Sequence, residues 1–348
     1  MIQTLVLVAA ALLAGCGAMA PKSAMPPKAD EEVVQETFMI PSLDRGITLH
    51  VRNKHLAGKT SYGPERIVLF VHGATFPSET MFDIDLPGGS WMEHAASRGF
   101  DAYLVDIRGY GRSTRPAAMS EPPQANPPFA GADDAARDIS AAVDFILKRR
   151  NVRRASLVGW SMGTTFMAKY ASLNPEKVER LVLYAPVWHE PALKAPPYSG
   201  AYRTGTRESI RPFNIAGIPK DRVAEISPTE WYDKWWQANL ATDREGAART
   251  PPVLRAPNGV MRDLNDFWAK GKPTYDAAAV RAPTLLVVGE WDVITPPEQG
   301  LALFKRLVNA KERRVVVLSE GSHSMGVEKN RLRLIREVQG FLEEPAEP

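Results

Sequence analysis

Short apolar runs alternate with amphipathic stretches along most of this chain, which predicts parallel strands covered by helices. Two strands with alternating apolar and polar positions are expected first, at 36–40 and 47–52. Six apolar runs then predict buried strands at 67–71, 102–105, 155–158, 181–184, 284–288 and 314–318. Helical spacing predicts helices at 90–97, 133–148, 162–173, 297–307 and 329–342. The predicted fold class is therefore α/β, with a mostly parallel sheet flanked by helices.

One long stretch interrupts this alternation. Residues 186–281 contain no buried-strand run, many prolines and five of the eight tryptophans of the chain. This pattern predicts a largely helical lid inserted before the strand at 284–288, with core parts at 34–185 and 282–348 on either side. Trp188 and Trp235 of the lid, together with Trp160, are candidate substrate contacts because ligand pockets favour aromatic linings. The alternative is that the lid tryptophans form the core of the lid itself.

The amino-terminal segment carries a targeting signal. Residues 5–13 are nine uninterrupted Leu, Val and Ala residues, too few to span a bilayer and typical of a signal peptide. They lead into Leu13-Ala14-Gly15-Cys16, which resembles the lipobox of bacterial lipoproteins. This resemblance implies that Cys16 is lipidated and becomes the mature amino terminus. The alternative is an ordinary signal peptide cleaved elsewhere within 14–20.

The lipobox resemblance has consequences for organisation and location. It predicts a signal peptide at 1–15 and a flexible tether at 16–33, and it makes the membrane a partner through a lipid at Cys16. Cys16 is the only cysteine, so no disulfide can form within the chain. The expected location is the bacterial cell envelope. By analogy, the non-acidic Gly17 favours the outer membrane or cell surface.

Composition excludes several other classes of function. The 348 residues are 44% hydrophobic and 24% charged, as in ordinary globular proteins. Lysine and arginine exceed aspartate and glutamate by 43 − 40 = 3, and no basic block predicts nucleic-acid binding. The six histidines are scattered without metal-ligand spacing. Neither a metal nor a cofactor is expected.

A candidate nucleophile lies between one predicted strand and one predicted helix. The segment Gly159-Trp160-Ser161-Met162-Gly163 follows the run at 155–158 and precedes the helix at 162–173. A tight strand-to-helix turn of this kind accepts only small residues around the serine and exposes the Ser161 hydroxyl. The helix amino terminus then points N–H groups at the same place, which favours a developing anion.

A nucleophilic serine needs a base and a group that orients the base. Of the six histidines, only His323 lies just beyond a late strand run. Asp292 follows the strand at 284–288 and is the best candidate acid, with Glu290 as the alternative. Loops at the carboxyl ends of parallel strands are where sites form in such sheets.

The chain order Ser161, Asp292, His323 is that of the α/β-hydrolase superfamily, and residues from about 60 to 342 resemble this family. His72-Gly73 is similar to its oxyanion loop, and residues 106–113 are similar to its D-x-R-G-x-G-x-S turn. The resemblance implies an oxyanion hole formed by the N–H groups of Met162 and Ala74, with Thr75 as the alternative to Ala74. One departure is Thr164, which stands where the family usually has a third glycine.

The resemblance implies a serine hydrolase that cleaves an ester or related acyl bond in a small-molecule substrate. Carboxylesterase or lipase-like chemistry on an apolar or aromatic substrate is the leading hypothesis. An acyltransferase, a carbon–carbon bond hydrolase or an aminopeptidase on the same scaffold are alternatives. A non-catalytic, surface-anchored binding protein is a further alternative, because a fold does not imply a function.

Overall fold

An eight-stranded sheet forms the centre of the protein in this computed structural model, which describes residues 32–188 and 197–345. The predicted signal peptide, Cys16 and nearly all of the predicted tether lie outside the described residues. Within residues 32–188 and 197–345, no helix is long and apolar enough to cross a membrane. The predicted anchor therefore stays a prediction.

The sheet is mostly parallel, as the sequence predicts. Its strands, with two short lid strands, are β1 Val33–Pro41, β2 Thr48–Leu56, β3 Ile67–Val71, β4 Asp101–Val105, β5 Ala155–Trp160, β6 Val178–Tyr184, β7 Tyr202–Gly205, β8 Leu254–Pro257, β9 Thr284–Gly289 and β10 Arg313–Leu318. The order across the main sheet is β1-β2-β4-β3-β5-β6-β9-β10. Strand β2 pairs antiparallel with β1 and β4, whereas the neighbours from β4 to β10 pair in parallel.

Helices cover the two faces of the sheet and form most of the lid. They are α1 Ser78–Phe82, α2 Trp91–Ser97, α3 Ala132–Arg150, α4 Met162–Leu173, α5 Arg207–Asn214, α6 Val223–Ile226, α7 Thr229–Leu240, α8 Arg244–Ala247, α9 Gly259–Asp266, α10 Pro297–Arg306 and α11 Arg331–Glu343. Successive side chains of a strand point to opposite faces. Leu69 of β3 accordingly packs in the cluster with α3 and α4, while Phe70 packs in the cluster with α2 and α11. The predicted α/β class is confirmed.

One expected strand differs in its environment. Strand β10 lies at the edge of the sheet and has only one neighbour, β9. Its residues are exposed or half-buried, and Val317 is 50% exposed. Its apolar run was predicted to be buried. An apolar run of this kind is compatible with a central strand and with an edge strand. The position of β10 at the end of the strand order leaves one of its edges without a neighbouring strand.

The insertion between β6 and β9 is largely helical, with α5 to α9 in its described part. It also contains strands, which the sequence analysis did not predict. Strands β7 and β8 form a separate two-stranded antiparallel sheet, and β8 is buried. Arg255 interrupts the apolar run in Leu254-Arg255-Ala256-Pro257, so no buried strand is predicted there. The strand can still be buried because Arg255 forms a buried ion pair with Asp243. The boundaries predicted for the lid and the core parts stay predictions.

Candidate active site

The turn between β5 and α4 has a backbone conformation that requires glycine on both sides. Ser161 has φ +53° and ψ −123°, an uncommon conformation for a residue with a side chain. A Cβ on Gly159 would lie 2.5 Å from the Gly163 carbonyl oxygen, and one on Gly163 would overlap the backbone of His72. The two glycines therefore allow the helix to start directly against the sheet, with Ser161 held at the turn.

The three predicted catalytic side chains meet at the carboxyl edge of the sheet. Ser161 Oγ lies 2.9 Å from His323 Nε2, and His323 Nδ1 lies 2.9 Å from Asp292 Oδ2. All three residues are buried. The three come from loops after β5, β9 and β10, and the parallel arrangement of these strands brings the loops together. The distances fit a serine, a base and an orienting acid connected in series.

The acid is held in its charged form by its surroundings. Burial by itself would raise the pKa of Asp292, but attraction to His323 and hydrogen bonds to the carboxylate outweigh it and hold the pKa below the usual value. The N–H groups of Ile294 and Thr295 donate to Asp292 Oδ1 at 2.9 and 2.8 Å. Thr295 Oγ1 donates to Oδ2 at 2.7 Å and also lies 3.2 Å from His323 Nδ1. The sequence analysis did not single out Thr295.

The alternative acid does not meet the histidine. Glu290 is exposed, and its Oε2 accepts the backbone N–H of Glu320 at 2.9 Å. A carboxylate in water, hydrogen-bonded to a surface loop, does not orient a buried imidazole. The geometry therefore favours Asp292 over Glu290 as the partner of His323.

The predicted oxyanion loop lies beside the serine. A Cβ built on Gly73 would lie 3.0 Å from Ser161 Cβ, so the loop after β3 approaches the serine backbone closely. Met162 is the first residue of α4, and an N–H group at that position has no partner within the helix. The Ala74 carbonyl accepts hydrogen bonds from Tyr110 Oη at 2.7 Å and from Arg203 Nη2. These bonds fix the orientation of the loop that carries Ala74 and Thr75.

The threonine that replaces the expected third glycine has a structural partner. Thr164 Oγ1 donates to the Ser161 carbonyl oxygen at 2.5 Å and accepts the N–H of Val187 at 3.1 Å. Val187 lies just after β6, where the chain leaves the sheet for the insertion. Thr164 thus connects the serine turn to this segment, and its side chain is not among the contacts of His323 or Asp292 in the described part of the chain.

The three candidate tryptophans occupy three different places. Trp160 Nε1 donates to the His323 carbonyl oxygen at 3.0 Å, so this side chain holds the histidine backbone. Trp235 Nε1 donates to the Thr80 carbonyl oxygen at 3.1 Å and packs α7 against α1. The Trp188 ring packs against the rings of Trp268 and Tyr275, in the core cluster on the other face of the sheet. Their predicted substrate contacts stay untested, and the observed partners are protein groups.

Two further residues near His323 were missed by the sequence analysis. The Phe213 ring of α5 lies 5.5 Å from the His323 ring in an edge contact. Glu328 is buried, and Ser322 Oγ donates to its Oε1. Burial raises the pKa of Glu328 to about 8. No local sequence signal identifies Phe213, because it meets the histidine only through the packing of the lid. Glu328 lies five residues beyond His323, and this short separation is the signal that could have identified it.

Residues 32–188 and 197–345 contain no cluster of three His, Cys, Asp or Glu side chains with the geometry of a metal site.

Comparison with known proteins agrees with this architecture. Residues 66–329 match the family described as alpha/beta hydrolase fold. The chain is 24% identical over 231 residues to a 2-hydroxy-6-oxononadienedioate/2-hydroxy-6-oxononatrienedioate hydrolase of Cupriavidus pinatubonensis, covering 63% of this chain and 70% of that protein. It is 28% identical over 231 residues to a pimeloyl-[acyl-carrier protein] methyl ester esterase of Neisseria meningitidis, covering 60% and 64%.

Solved structures show the same fold at low sequence identity. A thermophilic esterase from Thermogutta terrifontis superposes with a TM-score of 0.57 at 18% identity, over 88% of this chain and 98% of that one. The family match at residues 66–329 spans the predicted oxyanion loop, the serine turn, Asp292 and His323. The chain belongs to the α/β-hydrolase fold family.

Proposed function

We propose that this protein is a serine hydrolase that cleaves a carboxylic ester through an acyl-enzyme on Ser161. The observation that carries the proposal is the unbroken series of contacts from Ser161 Oγ to His323 and from His323 to Asp292, each of 2.9 Å. A buried histidine between a serine hydroxyl and a charged carboxylate is the arrangement that activates a serine.

The reaction follows from the positions of these groups. Ser161 Oγ attacks the ester carbonyl carbon while His323 Nε2 takes its proton, and Asp292 holds the Nδ1 proton and stabilises the imidazolium. The N–H groups of Met162 and Ala74 bind the oxyanion, each contributing about 3 kcal/mol to barrier lowering. His323 gives its proton to the leaving alcohol. Water, deprotonated by His323, then attacks the acyl-enzyme and releases the acid.

The relatives support hydrolysis of an acyl compound but leave the bond type open. One is named as a methyl ester esterase and one as a hydrolase of a 2-hydroxy-6-oxo dicarboxylic acid. An ester is favoured here because a simple ester needs only the nucleophile, the base and the oxyanion hole described above. Acyl transfer, carbon–carbon bond cleavage and amide hydrolysis remain alternative outcomes of a substrate screen.

A fluorophosphonate probe tests the nucleophile, because it phosphonylates only a serine that a base has activated. We expect stoichiometric labelling of the folded wild-type protein, with the adduct located on Ser161 by peptide mass analysis. Heat-unfolded protein and the Ser161→Ala variant are expected to remain unlabelled. A folded wild-type protein that does not react would contradict the enzyme proposal and favour the non-catalytic binding protein.

We also propose that the protein is attached to the cell envelope through a lipid on Cys16. The support is the apolar run at 5–13 followed by Leu13-Ala14-Gly15-Cys16. We expect Cys16→Ser to move the protein from the membrane fraction to the soluble fraction of a bacterial host, because the lipid supplies the apolar surface that holds it there. Wild-type protein that is soluble after cleavage of its signal peptide would show that this assignment is wrong.

A further inference from the structure

A cavity of about 190 Å³ lies between the oxyanion loop and the first elements of the lid. Its apolar walls include Phe76, Ile210, Phe213 and Leu254, and its polar walls include Thr75 and Arg203. The Phe213 ring is the one that contacts the His323 ring, and the Phe76 ring stacks on Trp160 at 6.2 Å. These two rings of the cavity wall place the cavity one side chain away from His323 and the serine turn.

The size of the cavity limits what it can hold. A cavity of about 150 Å³ accommodates one benzene molecule. A volume of about 190 Å³ thus has room for a single ring or a short chain. The aromatic and aliphatic walls favour an apolar body in this space.

Arg203 adds a positive charge to the wall of this cavity. Its Nη2 donates to the Ala74 carbonyl oxygen and, at 2.8 Å, to Thr75 Oγ1, while Nη1 donates to the Pro257 carbonyl oxygen. All of these acceptors are neutral. Among residues 32–188 and 197–345, no carboxylate forms an ion pair with Arg203, and no acceptor is found for its Nε.

The neighbouring strand shows how the fold treats an arginine that is fully buried. Arg255 of β8 pairs with Asp243 and Glu245, and although burial acts against it, the hydrogen bond and charge of Asp243 raise its pKa. For Arg203, burial lowers the pKa, and Tyr110 opposes this only in part. Arginine stays protonated in proteins. Arg203 is half-buried, and removing part of the water around such a charge without a counter-charge is costly, so the lid keeps a cation beside the cavity that no carboxylate of the described residues neutralises.

We propose that this cavity binds one half of the ester substrate and that Arg203 binds a carboxylate carried on that half. The substrate class is an ester with a short apolar or monocyclic group that ends in a carboxylate. This inference rests on the proposed ester hydrolysis and specifies its substrate. Arg203 is then a binding residue, and its bonds to the Ala74–Thr75 loop connect substrate binding to the oxyanion loop.

The test compares charged and neutral esters of matched shape. Monomethyl adipate is compared with its terminal amide, and the acetate ester of 4-hydroxybutyrate with its amide, so that the charge lies on the acyl half or on the alcohol half. We expect kcat/KM for the acid to exceed that for the amide at least about tenfold in one of the two series, since a charge-assisted hydrogen bond is roughly twice as strong as a neutral one.

Arg203→Gln is expected to reduce this acid-to-amide ratio to about one. Loss of the bonds to the loop lowers both rates, but a displaced loop affects acid and amide alike, so the ratio reports on charge recognition alone. Arg203→Lys keeps the charge without the guanidinium geometry and is expected to give an intermediate ratio. The control is Arg207→Gln, in which a lid-surface arginine paired with Asp233 is lost and the ratio is retained.

Different results would contradict the charge-recognition proposal and the hydrolase proposal. Charge recognition would be overturned if the wild-type protein cleaved the ester bond of the amide-bearing compounds as fast as, or faster than, that of the acids in both series. The hydrolase proposal would then remain intact. A ratio that is high in wild type and unchanged in Arg203→Gln would also overturn it. A protein that hydrolyses no ester and does not react with the fluorophosphonate would overturn both proposals.

Discussion

Replacing Ser161 by alanine should lower the turnover of any accepted ester by at least about a thousandfold, and replacing His323 by alanine should cost as much. This loss corresponds to about 4 kcal/mol of transition-state stabilisation. The two losses should be similar because the serine and the base act as a unit across the 2.9 Å contact. Turnover by purified variants, with an ester hydrolysed readily by wild type, measures the effect.

The double variant provides a sharper test of the same contact. Ser161→Ala together with His323→Ala should be no slower than either single variant, because removal of one partner already abolishes the relay. Ser172→Ala is the matched control, since this serine lies on the same helix and donates only to the Lys169 carbonyl oxygen. All variants should unfold near the wild-type temperature. Full activity in Ser161→Ala would exclude the assigned nucleophile.

Asp292→Asn should lower kcat by up to about 10⁴-fold while leaving the fold intact, as for an acid that sets the histidine tautomer. The amide can donate a hydrogen bond to His323 Nδ1, which would place the imidazole proton on Nε2. A protonated Nε2 can no longer accept the serine proton. Because the pKa of Asp292 lies below its usual value, the wild-type carboxylate is charged across the neutral range. The loss should therefore not arise from titration of Asp292 itself between about pH 6 and pH 9, and comparing kcat on the alkaline plateaus of the two pH profiles measures it.

Glu290→Gln is the control for this substitution. It removes the other acidic side chain of the same loop, which is exposed and bonded to the Glu320 backbone. Turnover in Glu290→Gln should remain within about twofold of wild type, as for most surface substitutions. Loss of activity in Glu290→Gln with retention in Asp292→Asn would reverse the assignment of the acid.

Much of the architecture could be predicted from local patterns. The strands at 67–71 and 155–158 are buried on both faces, so their apolar runs are unbroken and easy to recognise. The lid strand β8 escaped prediction because Arg255 is buried in it, which a pattern of apolar residues excludes. Similarly, β10 has the composition of a buried strand but lies at an edge.

The sequence by itself determined the serine turn and the order of the residues proposed to react. Gly159 and Gly163 are required by contacts within the turn and with the adjoining strand, so five consecutive residues encode the position of Ser161. Only the tertiary structure shows that Asp292 contacts His323 and Glu290 does not, because the loop turns these two side chains, two residues apart after the same strand, in different directions. The same holds for Arg203 and Phe213. They reach the oxyanion loop and His323 through contacts more than a hundred residues apart in the chain, and long-range packing of this kind leaves no periodic trace in a sequence.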